Sequence, residues 1–160
     1  MSSKLEHVKI REATAKDAQD VAELITRLKK LNSEFDPLLK TNAQLAKETR
    51  KYIDDTLKSD SFVLLVADHK GKIIATVKGE IKDRIFYEPR IEGAIDEFYV
   101  LPEFRRTALG KQMLSKVAEK MKAKGAQIIT AEFPSQNRIA SSFYEKLGFR
   151  AIINIYAKVY

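Results

Sequence analysis

The stretch that decides the fold runs from Leu101 to Leu114 and reads "LPEFRRTALGKQML". It begins like the end of a strand and finishes like a helix, with two arginines, a threonine and Gly110 between these parts. A turn from a strand into a helix presents unpaired N–H groups, and the helix dipole favours an anion there. The stretch therefore indicates a loop, from Arg105 to Lys111, that could bind a phosphorylated cofactor.

Two common phosphate-binding patterns are absent from this loop. The P-loop of nucleoside triphosphatases requires Gly-Lys followed by Ser or Thr, whereas Gly110-Lys111 is followed here by Gln112. The dinucleotide-binding pattern requires a spacing of glycines that the stretch lacks, and it follows the first strand of its domain. Taken alone, the loop is equally compatible with an ordinary structural connection.

The bulk composition favours a small soluble protein. The chain has 160 residues, 44% of them hydrophobic, so we expect a single domain over residues 1–160. No run approaches the roughly 18 apolar residues of a membrane span, and residues 1–6 lack the apolar core of a signal peptide. The chain has no cysteine, which removes disulfides and thiolate nucleophiles. These features predict a cytoplasmic protein without a membrane partner.

The formal net charge of +7 favours an anionic partner, which could be a nucleic acid, an acidic protein or a phosphorylated cofactor. The lysines are dispersed and interleaved with glutamates, which is typical of a solvated surface. A nucleic-acid site would instead need clustered basic residues with stacking aromatics, so we do not favour one. The two histidines, His7 and His69, are far apart in the sequence, and we predict no metal site.

Hydrophobic periodicity predicts the element order β α α β β β α β α β. A capping box at Thr14 and Asp17 precedes the first helix, and a turn at Asp68–Gly71 joins two strands in a hairpin. The predicted strands are Val8–Arg11, Phe62–Ala67, Lys72–Ile81, Ile95–Leu101, Ala126–Phe133 and Phe149–Tyr160. The later predicted helices are Leu45–Leu57, Leu109–Lys124 and Asn137–Leu147.

A second stretch, "AEFPSQNRIASSFYEKLGFR" from Ala131 to Arg150, makes the first stretch recognisable as part of a family pattern. Together they resemble the GNAT superfamily of acetyl-CoA-dependent N-acetyltransferases. The motifs that carry the resemblance are Val100-Leu101-Pro102, the loop from Arg105 to Gly110, Asn137, and Tyr144-Glu145-Lys146-Leu147-Gly148-Phe149. They extend from about Glu92 to Phe149. Both motifs at this spacing are specific to the superfamily, whereas either motif alone would not be.

The resemblance implies an α+β fold with a mixed, mostly antiparallel sheet of six to seven strands flanked by four helices. It implies acetyl-CoA as the cofactor and, within the superfamily, is most like the branch that acetylates proteins. The acceptor would be a primary amine, either a protein lysine, a protein N-terminus or a small amine such as a polyamine. Acetyl transfer would occur by direct attack in a ternary complex, since no motif for a covalent nucleophile is present.

The same resemblance assigns the cofactor-binding residues. Strand-like backbone hydrogen bonds to pantetheine would come from Phe98, Tyr99 and Val100. The loop contribution would come from Arg105, Arg106, Thr107, Ala108, Leu109, Gly110 and Lys111. Asn137 would bond the pantetheine amides, or would only cap the following helix. The family usually has glycine where this chain has Ala108, whose methyl group is acceptable if its φ is negative.

Acetyl transfer to an amine needs a neutral amine and a proton donor for the leaving thiolate. A lysine amine, with a pKa near 10.4, is mostly charged at neutral pH and therefore needs a base. Glu132 and Glu97 are the two base candidates, although either could only cap a strand or pair with a lysine. Tyr144 matches the family's general acid, and its alternative is an amphipathic core tyrosine. Helical spacing predicts that Tyr144 is offset from an apolar face of Ile139, Phe143 and Leu147.

Acceptor selectivity is expected from two irregular stretches, Asn32–Asn42 and Asp83–Glu92. Their candidate residues are Phe35, Phe86 and Tyr87 as apolar walls, and Glu34, Asp36 and Glu88 as attractants for a cation. One alternative function remains open at this point: the chain could be a non-catalytic module that binds coenzyme A or a partner protein. The oligomeric state is open as well, since the last strand could pair across a homodimer.

Overall fold

The structure is a computed structural model that describes residues 2–160, with five strands and four α-helices. The strands are β1 (Val8–Glu12), β2 (Phe62–His69), β3 (Lys72–Asp83), β4 (Ile91–Val100) and β5 (Ile128–Ala131). The helices are α1 (Ala18–Asn32), α2 (Leu45–Leu57), α3 (Leu109–Ala123) and α4 (Arg138–Lys146). Short 3-10 turns lie at Ser2–Leu5, Ala15–Asp17, Pro37–Leu39 and Pro102–Phe104.

The strands form one mixed sheet in the order β1-β2-β3-β4-β5. The first four strands are antiparallel neighbours, and β5 runs parallel to β4. A parallel pair needs a long crossover, and the chain makes it here through the loop 101–108 and helix α3. The chain therefore leaves β4 at Val100 and enters α3 directly, as the sequence stretch predicts.

Two helical layers cover opposite faces of the sheet. Successive strand residues point to opposite faces, and on β3 Lys78 reaches Tyr52 of α2 whereas Gly79 lies under Met121 of α3. A Cβ on Gly79 would stand 2.3 Å from the Met121 sulfur, and one on Gly93 of β4 would stand 2.8 Å from it. Glycine at both positions lets α3 approach the sheet closely.

The core forms where these layers meet. The sheet contributes the aliphatic run of β2 and the matching positions of β3, since both strands are buried on two faces. The fully buried large side chains include Val21, Ile25, Ile53, Leu65, Val66, Ile74, Val77, Ile95, Leu109, Met113 and Met121. Within residues 2–160, no helix is long and apolar enough to cross a membrane.

The predicted sheet of six to seven strands is wrong in number, because the sheet has five. The predicted last strand, Phe149–Tyr160, has no strand partner, and every residue from Arg150 onward is exposed. The predicted strand Ala126–Phe133 is shortened to β5, whose pairing with β4 ends at Ala131. The other strands and all four helices lie where the periodicity predicts them, with ends that differ by a few residues.

A cluster of charged side chains precedes the first helix, and it includes Asp17 of the predicted capping box. The Asp17 carboxylate accepts hydrogen bonds from the backbone N–H of Thr14 at 2.8 Å and from Arg11 Nη1 at 2.7 Å. Arg11 also donates to Asp68 of the β2–β3 hairpin at 3.2 Å. Arg11 of β1 thereby joins the helix start, through Asp17, to the hairpin, through Asp68. Its hydrogen bond with Arg11 lowers the pKa of Asp17 from 3.8 to about 2.

This lowered pKa predicts a specific loss of stability in acid. The folded state binds fewer protons than the unfolded state between about pH 2 and 4, so the contribution is complete above the unfolded pKa and is lost as the pH falls towards 2. Asp17→Asn should remove on the order of 2 kcal/mol at neutral pH and flatten this part of the stability–pH curve. Urea unfolding at several pH values measures both effects. Asp20→Asn, which removes an exposed carboxylate in the first turn of α1, is the control, and an unchanged acid slope in Asp17→Asn would contradict the account.

Candidate active site

The site forms where β4 parts from β5. The two strands pair from Glu92–Ile128 to Ile95–Ala131, and the last backbone bond joins Glu132 N–H to the Ile95 carbonyl at 3.2 Å. From Asp96 to Val100, β4 continues alongside β3 only. One edge of this segment, which includes Phe98 and Tyr99, is therefore without a neighbouring strand among the described residues. Such an edge can hydrogen-bond an extended ligand.

An extra residue in β4 lies at the same point. Lys78 pairs with Glu97, but the next residue of β3, Gly79, pairs with Ile95, so Asp96 is bulged out of register. A bulge re-aims the side chains beside it. Here the adjacent carboxylates of Asp96 and Glu97 both reach one cluster of side chains on the α1–α2 face.

Glu97 lies in the centre of this cluster and is 5% exposed. Its Oε1 accepts from Lys29 Nζ of α1 at 2.5 Å, and its Oε2 accepts from the Tyr52 hydroxyl of α2 at 2.9 Å. A carboxylate that is nearly buried is stable only when it is paired and hydrogen-bonded, and these two donors meet that need. Glu97 therefore already binds an ammonium group in the structure.

The neighbouring charge is Lys78, whose side chain is 1% exposed. Its ammonium donates to Asp96 Oδ2 at 2.8 Å and to the Tyr52 hydroxyl at 2.8 Å, and it lies over the rings of Tyr52 and Phe62. Asp96 Oδ1 is the one buried side-chain oxygen or nitrogen without a hydrogen-bond partner among residues 4–160, whose side chains the structure describes. Burial, with the negative charges of Glu97 and Asp96, raises the pKa of Tyr52 far above that of an ordinary phenol. Tyr52 therefore donates to Glu97 as a neutral hydroxyl.

A cleft of about 550 Å³ opens in front of Glu97 and Tyr52. Its walls come from α1, from the segment between α1 and α2, and from α2. This volume lies in the range of small-molecule sites, roughly 300–1,000 Å³. The charged groups along it are Lys29, Lys40, Glu48 and Glu97.

The two irregular stretches predicted to select the acceptor do not meet. Asn32 and residues 39–42 line the cleft, but Glu34, Phe35 and Asp36 do not. Phe86 and Tyr87 line a separate hollow of about 290 Å³ instead. Only the first stretch therefore adjoins Glu97.

The loop after β4 is held by side-chain contacts at its start. Arg105 Nε donates to the Val100 carbonyl at 2.9 Å, and its guanidinium lies over the Tyr99 ring. This contact occupies one backbone acceptor in the segment predicted to bind pantetheine. Arg106 follows with a left-handed φ of 59°, which turns the chain towards α3. Few residues other than glycine adopt this conformation, so the turn is locally strained.

The start of α3 leaves backbone donors available. The Thr107 hydroxyl donates to the Phe104 carbonyl and accepts from the Leu109 N–H at 3.2 Å. Gly110 and Lys111 follow in the first turn, where N–H groups have no intrahelical partner. Ala108 has φ −71°, which confirms that its methyl group is accommodated without strain. Backbone donors, a helix N-terminus and the exposed Arg106 and Lys111 side chains are a set that fits a pyrophosphate.

Tyr144 of α4 lies on the other side of the parting strands. It is 7% exposed, and its ring stacks on Phe133 at 5.4 Å and meets Phe143 and Phe149 edge to face. Phe143 in turn contacts Phe98 of β4. Burial raises the pKa of Tyr144 well above its usual value of 10, so the phenol keeps its proton.

The predicted face of α4 is wrong in one respect. Ile139 is 85% exposed, whereas Tyr144 is the buried residue of the helix, with Phe143 and Leu147 half-buried beside it. Tyr144 therefore packs into the aromatic cluster instead of standing off from it. Helical spacing alone could not show this, because it does not say where the loop residues Phe133 and Phe149 lie.

The remaining candidates border the same opening. The Asn137 side chain accepts from the Ala140 N–H at 3.0 Å, so it caps α4 through its carbonyl oxygen. Glu132 is exposed and follows β5 directly, and its N–H donates to the carbonyl of Ile95, two residues before Glu97. Tyr52, Lys78 and Lys29 are functional candidates that the sequence motifs do not single out. The one sequence signal is for Lys78, because a lysine within the apolar pattern of β3 indicates a buried charge that needs partners. Among the side chains that the structure describes, those of residues 4–160, no group of three or more could hold a metal ion.

Comparison with known proteins identifies the family. Residues 25–149 match the model of the acetyltransferase (GNAT) family, and the chain belongs to this family. This confirms the resemblance drawn from the two motifs. A curated relative, the uncharacterized N-acetyltransferase MJ1207 of Methanocaldococcus jannaschii, is 29% identical over 103 residues, which cover 64% of this chain and 46% of the relative. The matched region thus spans less than half the length of that relative.

Solved structures share the fold at low sequence identity. The aminoglycoside N-acetyltransferase AAC(6')-Iy in complex with CoA superposes with a TM-score of 0.76 at 18% identity, over 95% of each chain. A predicted acetyltransferase with acetyl-CoA from Clostridium acetobutylicum gives a TM-score of 0.75 at 21% identity, over 95% of this chain and 96% of its own. Proteins of this fold thus hold CoA and acetyl-CoA.

Because the Lys78 ammonium is buried and paired, we expect its removal to lower the free energy of unfolding substantially. Lys78→Met leaves the Asp96 carboxylate and the Tyr52 hydroxyl without their donor, so we expect a loss on the order of 3 kcal/mol. Adding Asp96→Asn should recover part of this loss, since the two residues are coupled. Chemical denaturation of the single and double variants measures the coupling. Lys82→Met, on the same strand and exposed, is the control, and an equally small effect at both lysines would contradict the account.

Proposed function

We propose that this chain transfers an acetyl group from acetyl-CoA to a primary amine by direct attack in a ternary complex. The observation that carries the proposal is the parting of β4 from β5 beside the basic N-terminus of α3. It leaves an open strand edge for an extended arm and a row of N–H donors for phosphates in one continuous surface. Family membership supports the same cofactor.

The cofactor would be held by the residues around this opening. Phe98, Tyr99 and Val100 offer the strand edge to pantetheine, with the Val100 carbonyl released if Arg105 turns to a phosphate. The loop from Arg106 to Lys111 offers backbone N–H groups and two positive charges to the pyrophosphate. The Asn137 amide group, whose oxygen caps α4, has its NH₂ left for a pantetheine carbonyl. Acetyl-CoA, when bound, supplies the acetyl group and a thiolate leaving group.

The acceptor amine would enter through the cleft in front of Glu97. We favour Glu97 over Glu132 as the base because Glu97 lies at the end of this cleft and already binds the Lys29 ammonium. A substrate ammonium could take the place of the Lys29 Nζ, since that side chain is 35% exposed and free to move aside. Glu97 would then accept a proton from the acceptor nitrogen, and the Tyr52 hydroxyl would hold the other carboxylate oxygen in place.

Tyr144 would protonate the departing sulfur. Tyr144 packs on Phe143, which contacts Phe98 of the open strand segment, whereas Glu97 bonds Lys29 of α1 and Tyr52 of α2, so an acid and a base would flank the reacting atoms. Its raised pKa keeps the phenol protonated. A fixed proton donor of this kind contributes roughly 100-fold or more to the rate.

The function is tested by release of free coenzyme A thiol from acetyl-CoA in the presence of an amine panel. The panel should contain a polyamine, a lysine-containing peptide, a peptide with a free N-terminus and an aminoglycoside. The chain has no cysteine, so all thiol detected comes from the cofactor. Acetyl-CoA binding with amine-dependent thiol release supports the proposal. Binding without transfer to any amine would favour the non-catalytic module, and no binding would overturn the cofactor assignment.

Tyr144→Phe should lower kcat by roughly 100-fold or more while leaving acetyl-CoA affinity nearly unchanged, because only the proton donor is removed. In the unaltered chain, activity should persist to about pH 10, the ordinary pKa of a phenol, because burial delays ionisation of Tyr144. Phe143→Leu alters the same cluster without removing a hydroxyl and is the control. Equal kcat in Tyr144→Phe and the unaltered chain would exclude Tyr144 as the acid.

Glu97→Gln and Glu132→Gln separate the two base candidates. We expect Glu97→Gln to lower kcat by roughly 100-fold, since the proton acceptor is lost. Glu132→Gln should change kcat by less than about tenfold. Steady-state rates at saturating acetyl-CoA measure both. The reverse pattern would move the base to Glu132, and acetyl-CoA affinity serves as the folding control.

A further inference from the structure

The side chain of Lys29 occupies the place that an acceptor amine would take. Its Nζ lies 2.5 Å from Glu97 Oε1, and Glu97 is the carboxylate proposed above as the base. The Glu97 side chain is 5% exposed, whereas the Lys29 side chain is 35% exposed and lines the cleft. A primary amine of this chain is therefore already bound to the group that would deprotonate a substrate amine.

Helix α1 directs this side chain into the cleft. Lys29 follows Ile25 by four residues and precedes Asn32 by three, so the three residues share one helix face, and all three line the cleft. Ile25 is fully buried, which fixes the orientation of this face. The four-carbon stem of a lysine is flexible, so the ammonium can move within the cleft while the helix holds its Cα in place. The next residue, Lys30, is exposed and does not line the cleft.

The Lys29 amine is also close along the chain of contacts to the edge proposed to hold the cofactor arm. Its partner Glu97 is followed directly in β4 by Phe98–Val100, where β4 pairs with β3 but not with β5. An amine that is held beside its base and beside the acetyl donor reacts faster than a free amine, because the entropy of bringing the groups together is already lost. The position of Lys29 therefore favours reaction of this amine.

The contact with Glu97 distinguishes Lys29 from other lysines of the chain. Lys40 lines the same cleft, but among the described residues no hydrogen bond or ion pair joins it to Glu97. Lys78 belongs to the same cluster, but its side chain is 1% exposed and its ammonium is bonded within the cluster. Uncatalysed acetylation would instead favour exposed amines such as that of Lys30. The order in which the lysines react therefore distinguishes a catalysed reaction from a chemical one.

We propose that, when no acceptor occupies the cleft, this chain transfers the acetyl group of acetyl-CoA to its own Lys29. The inference rests on the proposed function, since it uses the same cofactor, base and acid. Glu97 takes one proton from the Lys29 ammonium and later releases it to solvent. The nitrogen then forms a bond to the acetyl carbon as the carbon–sulfur bond breaks, and Tyr144 gives its proton to the sulfur. A second proton leaves the nitrogen and restores the phenol through solvent, so the products are an amide, free coenzyme A and one proton.

Incubation of the full chain with acetyl-CoA alone, followed by peptide mapping in a mass spectrometer, tests the proposal. Lys29 should gain an acetyl group at least about tenfold faster than Lys30 or Lys40, because only Lys29 is bound to the base. Lys29→Arg keeps a cation beside Glu97 but should lose this modification, whereas Lys30→Arg, the matched control, should keep it. Equal rates at Lys29 and Lys30 would indicate chemical acetylation and would overturn the proposal.

Two variants of the proposed acid and base test whether the reaction is catalysed. Glu97→Gln should slow acetylation of Lys29 roughly 100-fold, and so should Tyr144→Phe, which leaves the contact between Lys29 and Glu97 in place. Circular dichroism checks that both variants are folded. An unchanged rate at Lys29 in both variants would exclude catalysis by this site and overturn the proposal.

Dilution and a competing amine complete the test. At saturating acetyl-CoA the rate per chain should not change over an about tenfold dilution of the protein, because the amine and the base belong to one chain. A rate that falls with dilution would overturn self-acetylation. An amine of the panel that the chain acetylates should protect Lys29, since both amines need Glu97. Transfer to such an amine with no acetylation of Lys29 overturns this inference and leaves the proposed function standing, whereas transfer to neither overturns both.

Discussion

The site depends on a change of pairing at one residue of β4. At Asp96 the strand gains an extra residue relative to β3 and at the same time loses β5 as a neighbour. The bulge turns Glu97 and Asp96 to the same face, where Lys29 and Lys78 compensate their charges and the Tyr52 hydroxyl donates to Glu97. The lost pairing leaves a backbone edge open over the next four residues. One irregularity in the sheet therefore creates both the charged cluster and the space for a ligand.

The two helical layers give this opening two different sides. On the α1–α2 side, a polar cleft ends at Glu97, which is held by Lys29 and Tyr52. On the α3–α4 side, an aromatic cluster surrounds Tyr144 and raises its pKa by burial. A carboxylate in a polar cleft and a neutral phenol in an apolar one are suited to opposite proton transfers. The crossover through α3 brings basic groups to the same opening, because only the eight residues 101–108 separate the end of β4 from the start of the helix.

Much of this arrangement follows from sequence patterns that have a local cause. Periodicity predicts α1 and the β2–β3 hairpin, and the loop before α3 is recognisable from its position between a strand and a helix. The bulge at Asp96 has no local signature, because it exists only in relation to β3. The cluster around Lys78 depends on Tyr52, which is distant in sequence. The alternation of residues 150–160 predicts a strand, but alternation alone cannot show whether a strand edge lies beside the segment, and none of the described strands does.

The central claim is that the parting of β4 and β5 is the place where coenzyme A binds. The most direct measurement is a titration of the ¹⁵N-labelled chain with coenzyme A, followed by backbone amide chemical shifts. The account predicts that the largest changes fall on the open segment Phe98–Val100 and on the loop Arg106–Lys111, with β1 unaffected. Changes confined to other parts of the chain, or none at saturating coenzyme A, would contradict it.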